Sequence, residues 1–169
     1  SMIAATRERI IQSAGEFVFG EGEDYELQHA VIERLAQRGE TLVVLELGMG
    51  GLAGSWLAEQ QRPDLLVAHL LAAHRDSMAA VLGQTPTDAV GLARAACRNA
   101  HADWALVIDD YPAISESERP LPGHRIELTV YRAVDNWCQH ASVSLGGHPD
   151  IIKARIAKAG LDFLRRQLV

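Results

Sequence analysis

Aromatic residues are scarce in this 169-residue chain, at 5% of positions, so a core must come from the aliphatic residues that dominate its 48% apolar content. Cysteine is scarcer still: Cys97 and Cys138 stand far apart and match no metal or redox spacing. Basic charge is also short. The chain has 16 Lys and Arg against 22 Asp and Glu, for a net charge of −6. An acidic chain repels phosphate backbones and lacks the basic footprint of a nucleic-acid binder, so no nucleic-acid partner is expected. No apolar run is long enough to span a bilayer, and no membrane association is expected. No signal-peptide pattern is recognised, and a reducing cytoplasm is the expected compartment. None of the seven histidines forms a His-x-x-x-His pair, so no metal site is expected, and nothing calls for a cofactor. Internal repeats and low-complexity tracts are absent.

What is present reads as alternating helices and strands. A short helix is expected over 6–15, then a Gly-bracketed link to Gly22. Asp24 offers an N-cap, and Leu27, Ala30, Val31 and Leu35 follow at helical spacing up to a stop at Gly39. Thr41 to Glu46 is a short apolar run, as in a buried strand. The glycines at 48, 50 and 51 make a turn into a helix over 51–60. A second strand is expected over 65–71, a helix over 76–82, and another opened by Thr85 or Thr87 and running to Ala100. Trp104 to Ile108 is the third strand, followed by a polar loop from Asp109 to Gly123. Residues 125–133 and 137–145 form a hairpin around Asp135-Asn136, and Pro149 starts the last helix.

Strands separated by helices pair in parallel, and a late hairpin adds antiparallel strands. The expected fold is one three-layer α/β/α sandwich with a mixed, mostly parallel sheet: an N-terminal helix and link over 1–22 and a core over 23–169. Val43, Val44, Leu66, Val67, Leu106, Val107, Ile156 and Leu164 are expected inside it. Lys153, Arg155, Lys158, Arg165 and Arg166 read as the solvated face of the last helix. Trp56, Trp104 and Trp137 read as core or interface anchors.

Three stretches carry a family likeness. They are Phe17-Val18-Phe19-Gly20-Glu21 with the helix and Gly39-Glu40-Thr41-Leu42 after it, Glu46-Leu47-Gly48-Met49-Gly50-Gly51-Leu52, and Ile156 to Arg166. In order and spacing the chain resembles the C-terminal domain of the CinA family, the nicotinamide-nucleotide amidases. The resemblance implies an α/β/α sandwich, oligomers, and hydrolysis of the amide of nicotinamide mononucleotide by a serine in a Glu-Ser-Cys-Thr-Gly-Gly-Leu type of motif, assisted by a lysine in the following segment.

The chain departs from that pattern at the reacting groups. Glu46, Gly50, Gly51 and Leu52 match the motif, but Leu47 stands at the nucleophile's place and Gly48 follows it. The lysine position falls on Met78. A nucleophile needs an atom that can attack and a neighbour that can take its proton, and neither side chain supplies one. The family's Gly-rich loop is replaced by Asp109-Asp110-Tyr111-Pro112 and the acidic run from Ser115 to Arg119, which should repel a phosphate. The expectation is a catalytically inactive member acting as an assembly or regulatory module that forms homo-oligomers. The alternative is an active amidohydrolase with relocated groups, for which His74 and Ser77 are the candidates.

Three further features have double readings. Gly48-x-Gly50-x-x-Ala53 on a strand-to-helix turn fits a nucleotide or anion site, or simply a tight turn with close helix packing. Glu46 at a strand end is either catalytic or bonds backbone amides of the turn. Asp109 and Asp110 are either metal ligands or part of a solvated loop.

Overall fold

A computed structural model describes residues 25–85, 88–113 and 121–169, together with Thr6 and Glu8. The expected helix over 6–15, the Phe17 to Glu21 stretch, Asp24 and the 115–119 acidic run lie wholly or largely outside the described residues.

The observed order is α1 (Leu27–Arg38), β1 (Leu42–Gly48), α2 (Leu52–Ala58), β2 (Leu66–Ala72), α3 (Arg75–Val81), α4 (Ala89–Ala100), β3 (Trp104–Tyr111), β4 (Leu121–Arg132), β5 (Trp137–Gly147) and α5 (Pro149–Gln167). The five strands form one sheet in the order β2-β1-β3-β4-β5. β1 pairs in parallel with both β2 and β3, and β3-β4 and β4-β5 are antiparallel. Strands β1 to β3, each reached through helices, run the same way. The hairpin then closes the sheet with opposed strands.

Apart from Glu46, β1 is apolar because it is central and buried on both faces. Its side chains alternate between two cores. Leu42 and Val44 meet Leu106, Ile108, Ile156 and Leu164 beneath α1, α2 and α5. Val43, Leu45 and Leu47 meet Ala105, Val107, Met78 and Leu92 beneath α3 and α4. These two apolar layers on one sheet make the three-layer α/β/α sandwich. Gly160 lets α5 approach the sheet, since a Cβ there would lie 2.5 Å from the Ile108 side chain. Among the described residues no helix is long and apolar enough to cross a membrane.

Several expectations are corrected. Leu66 is only half-buried and Val67 is exposed, because β2 is an edge strand and Val67 is an extra residue where the pairing with β1 shifts register. The N-cap of α4 is Asp88 rather than Thr85, and its carboxylate accepts a bond from the Gly91 amide at 2.8 Å; Thr87 lies outside the described residues. β3 runs past Ile108 to Tyr111, so Asp109 belongs to a strand rather than a solvated loop. Arg165 is not on a solvated face. It is 3% exposed, and its guanidinium donates to Asp162 at 2.6 Å. Trp104 is fully buried, while Trp56 and Trp137 are half-buried against the core.

Candidate functional site at the carboxyl ends of the parallel strands

In an open α/β sheet, ligands bind beyond the carboxyl ends of the strands, where neighbouring connections diverge. Here that place lies between β1 and β3, beside the Gly48 to Gly51 turn. The crevice is filled by the chain itself. The ring of Tyr111, at the end of β3, packs so closely on Gly50 that a Cβ there would lie 2.2 Å from it. Gly48 has φ +88°, and a Cβ on it would lie 2.3 Å from the Tyr111 carbonyl oxygen. At Gly54 a Cβ would sit 2.2 Å from the His69 ring. These glycines serve close packing of the chain on itself, the plain alternative to a phosphate cradle.

Beneath the turn lies a buried polar cluster centred on Glu46, which is 1% exposed. One carboxylate oxygen, Oε1, accepts the Tyr111 hydroxyl at 2.5 Å and the Ala53 amide at 3.1 Å. The other, Oε2, accepts His69 Nε2 at 2.7 Å and the Gly54 amide at 3.0 Å. Both amides belong to the first turn of α2, so Glu46 caps that helix from β1. Burial alone would push its carboxyl up, but bonds from His69, Tyr111 and the Gly54 amide outweigh that penalty and hold it below the ordinary carboxylate value. Burial first, then the adjacent Glu46 charge, raises the Tyr111 hydroxyl well above its ordinary value. The hydroxyl therefore stays protonated as a donor. No buried side-chain polar atom among the described residues lacks a hydrogen-bond partner. The cluster is chemically complete as it stands, and two amides that could have met an anion at the turn are taken.

Leu47 points to the opposite face of β1. It is 1% exposed and shares an apolar cluster with Met78, which is 0% exposed. His74 is the N-cap residue of α3, and Ser77 lies within that helix. Both are exposed, and no hydrogen bond joins them among the described contacts. Asp109 forms an ion pair with Arg75 across the end of the sheet. Asp110 is exposed, with φ +72°, and its carbonyl accepts a bond from His124 Nε2 at 2.9 Å. No group of three metal-ligating side chains occurs among the described residues. An open cleft of about 420 Å³ does exist, but on the β2 side of the turn, lined by Met49, Leu71, Ala73 and Lys153 among others.

Sequence reasoning missed His69, Gly54, Tyr111 and Arg75. One signal was available: His69 stands alone in an otherwise apolar strand, where a polar side chain needs a partner.

No family model matches the chain. Solved structures show the fold. A competence or damage-inducible protein from Enterobacter asburiae superposes with a TM-score of 0.70 at 15% identity, covering 85% of this chain and 97% of that one. A competence-damaged protein (CinA) superfamily member from Enterobacter cloacae gives 0.69 at 18% identity, covering 90% and 99%. The chain shares the fold of these solved structures. In sequence the chain is similar to CinA-like proteins. It is 29% identical to a CinA-like protein of Anaeromyxobacter sp. (strain K) over 98% of its own length. With one from Anaeromyxobacter dehalogenans (strain 2CP-C) the identity is 30% over the same share. The chain spans 43% of the length of these curated relatives.

Proposed function

We propose that the chain is a catalytically silent CinA-like module that serves in assembly or regulation. The observation that carries the reading is the surroundings of Leu47 and Met78. The positions that the family resemblance assigns to nucleophile and lysine lie together in one sealed apolar cluster. Neither side chain can attack a carbonyl or move a proton, and neither reaches water. Support also comes from the turn. A nucleotide phosphate there would meet the ionised Glu46 carboxylate and the Tyr111 ring in place of open backbone amides.

The test is release of ammonia from nicotinamide mononucleotide by the purified chain. No release above a buffer control is expected. Leu47→Ser with Met78→Lys should not create turnover, because the crevice would remain filled. Turnover by the parent chain that is lost on changing His74 or Ser77 would overturn the reading and establish a relocated amidohydrolase site.

A further inference from the structure

We infer that the open cleft between the glycine turn and the end of β2 binds a small monocarboxylate with an apolar body, its carboxylate meeting Lys153. Such a site is separate from the sealed cluster of Leu47 and Met78 and requires no turnover.

The cleft holds about 420 Å³, within the range of small-molecule pockets, roughly 300–1,000 Å³. Met49 and Leu71 line it, and each is 57% exposed. Gly51, at φ +117°, lets the Leu71 side chain settle against the turn, since a Cβ there would lie 3.1 Å from Leu71 Cδ2. Ala72, Ala73 and the glycines complete the walls, which carry no hydroxyl, carboxylate or side-chain amide. A ligand seated there must be apolar over most of its surface. It would cover two large apolar side chains that now face water.

Lys153, near the start of α5, is the exception among these walls. The other basic residues of that helix are engaged. Arg155 donates to the Gly146 carbonyl, Lys158 lies 3.7 Å from Glu26, and Arg165 and Arg166 both bond Asp162. Lys153 is half-buried, and it is the only basic residue of α5 without a hydrogen bond or ion pair among the described residues. A partly desolvated ammonium beside apolar walls gains most from an anion brought to it.

The charge complement selects the ligand. Lys153 is one point charge, and no second cation in the walls joins it. A phosphate dianion is held by several charge-assisted donors, and the nearby Ala53 and Gly54 amides are already given to Glu46. A cationic ligand would meet an ammonium and no carboxylate. Two smaller grooves, each of about 250 Å³, lack this pairing of apolar wall and free cation. In one, Asp64 holds the Arg62 guanidinium, and in the other Asp162 holds Arg166.

The experiment is titration of the isotope-labelled chain with octanoate, followed in its amide spectrum. Amides of Met49 to Gly51 and Leu71 to Ala73 should shift, with half-saturation below about 1 mM. Octylamine and inorganic phosphate should leave them in place. Lys153→Gln should raise the half-saturating concentration at least about tenfold. Arg94→Gln removes the same charge from an exposed position of α4, in the opposite layer, and should leave it unchanged. The shift map of the parent chain depends on no variant's folding. Cleft amides that do not move with octanoate would overturn the inference, as would equal binding by folded Lys153→Gln or equal shifts with octylamine. Shifts of the same size with phosphate would overturn the choice of an apolar carboxylate. Ammonia release enters none of these measurements, so the silent-module reading stands or falls separately.

Discussion

At the amino ends of β1 and β3 the side chains that finish the sheet lie close to water. Trp104 Nε1 donates to Glu40 at 2.7 Å. The Arg132 guanidinium sits 5.3 Å from the Trp104 ring and 5.5 Å from Trp137, with Arg38 5.8 Å from Trp104. Asp103 accepts both the amide and the hydroxyl of Thr41 at 2.8 Å. At the carboxyl ends the charge is sealed inside. Glu46 takes four donors under a turn whose glycines admit the Tyr111 and His69 rings. The first end can lose a partner and let water replace it. The second cannot, because a buried donor left unpaired bears its full desolvation cost. Stability should therefore be far more sensitive at the end where catalysis would otherwise take place.

The sharpest way to break this contrast is Glu46→Ala. It strips the acceptor from two helix amides, a tyrosine hydroxyl and a histidine at once. The expected loss is about 3–5 kcal/mol of unfolding free energy, read by denaturant titration. Gly50→Ala attacks the same place without touching charge. Its methyl would fall on the Tyr111 ring, so the ring must move or the turn must open, and a loss of about 1–3 kcal/mol is expected. A change within a few tenths of a kcal/mol would show that Tyr111 does not rest on the turn.

Tyr111→Phe removes one hydroxyl and keeps the ring. A bond to an ionised acceptor contributes about 1.5–3 kcal/mol, so the loss should fall in that range and below that of Glu46→Ala. Acid titration of the same cluster has a definite sign. The folded Glu46 carboxyl lies below its ordinary value of 4.5. Its contribution is fully present above about pH 4.5 and is lost as pH falls through the lower, folded value. Glu46→Gln should remove part of the acid sensitivity below pH 4.5. An unchanged acid limb would mean that other carboxylates govern it.

Much of the fold is written locally. The apolar run before Glu46, the glycines after it, the Asp135-Asn136 turn and the stripe of α5 each announce themselves within a few residues. Asn136 takes φ +54°, the left-handed conformation a tight turn needs. What stayed hidden depends on lateral order. Nothing within 65–71 says that β2 lies at an edge, so Val67 passed for core. The side-chain partners of Glu46 come from 23 and 65 residues away, and a strand end reads the same whether or not a tyrosine folds over it. Asp109 looked like loop because two adjacent acids and a proline resemble one. Burial against Arg75 is a property of the assembled sheet. At the family motif the departure at Leu47 was legible as chemistry, whereas the filled crevice beside it was not.

The smallest effect should come from the amino end, and it is the one that decides whether the contrast is real. Arg132 stacks on two tryptophans and also pairs with Asp135 at 2.7 Å, with 30% of its side chain exposed. A static count of contacts would rank it beside Glu46. Physical reasoning ranks it far lower. An exposed guanidinium recovers most of its hydration when its partner is removed, and cation–π contacts at such sites contribute only about 0.5–1 kcal/mol. A double-mutant cycle of Arg132→Ala with Trp137→Ala isolates that stacking term from the loss of the tryptophan's own packing. Its coupling should fall within this range and change little with salt, because the ring carries no net charge. A coupling comparable to the loss in Glu46→Ala would mean that both ends of the sheet are equally closed to water, and the difference drawn between them would fail.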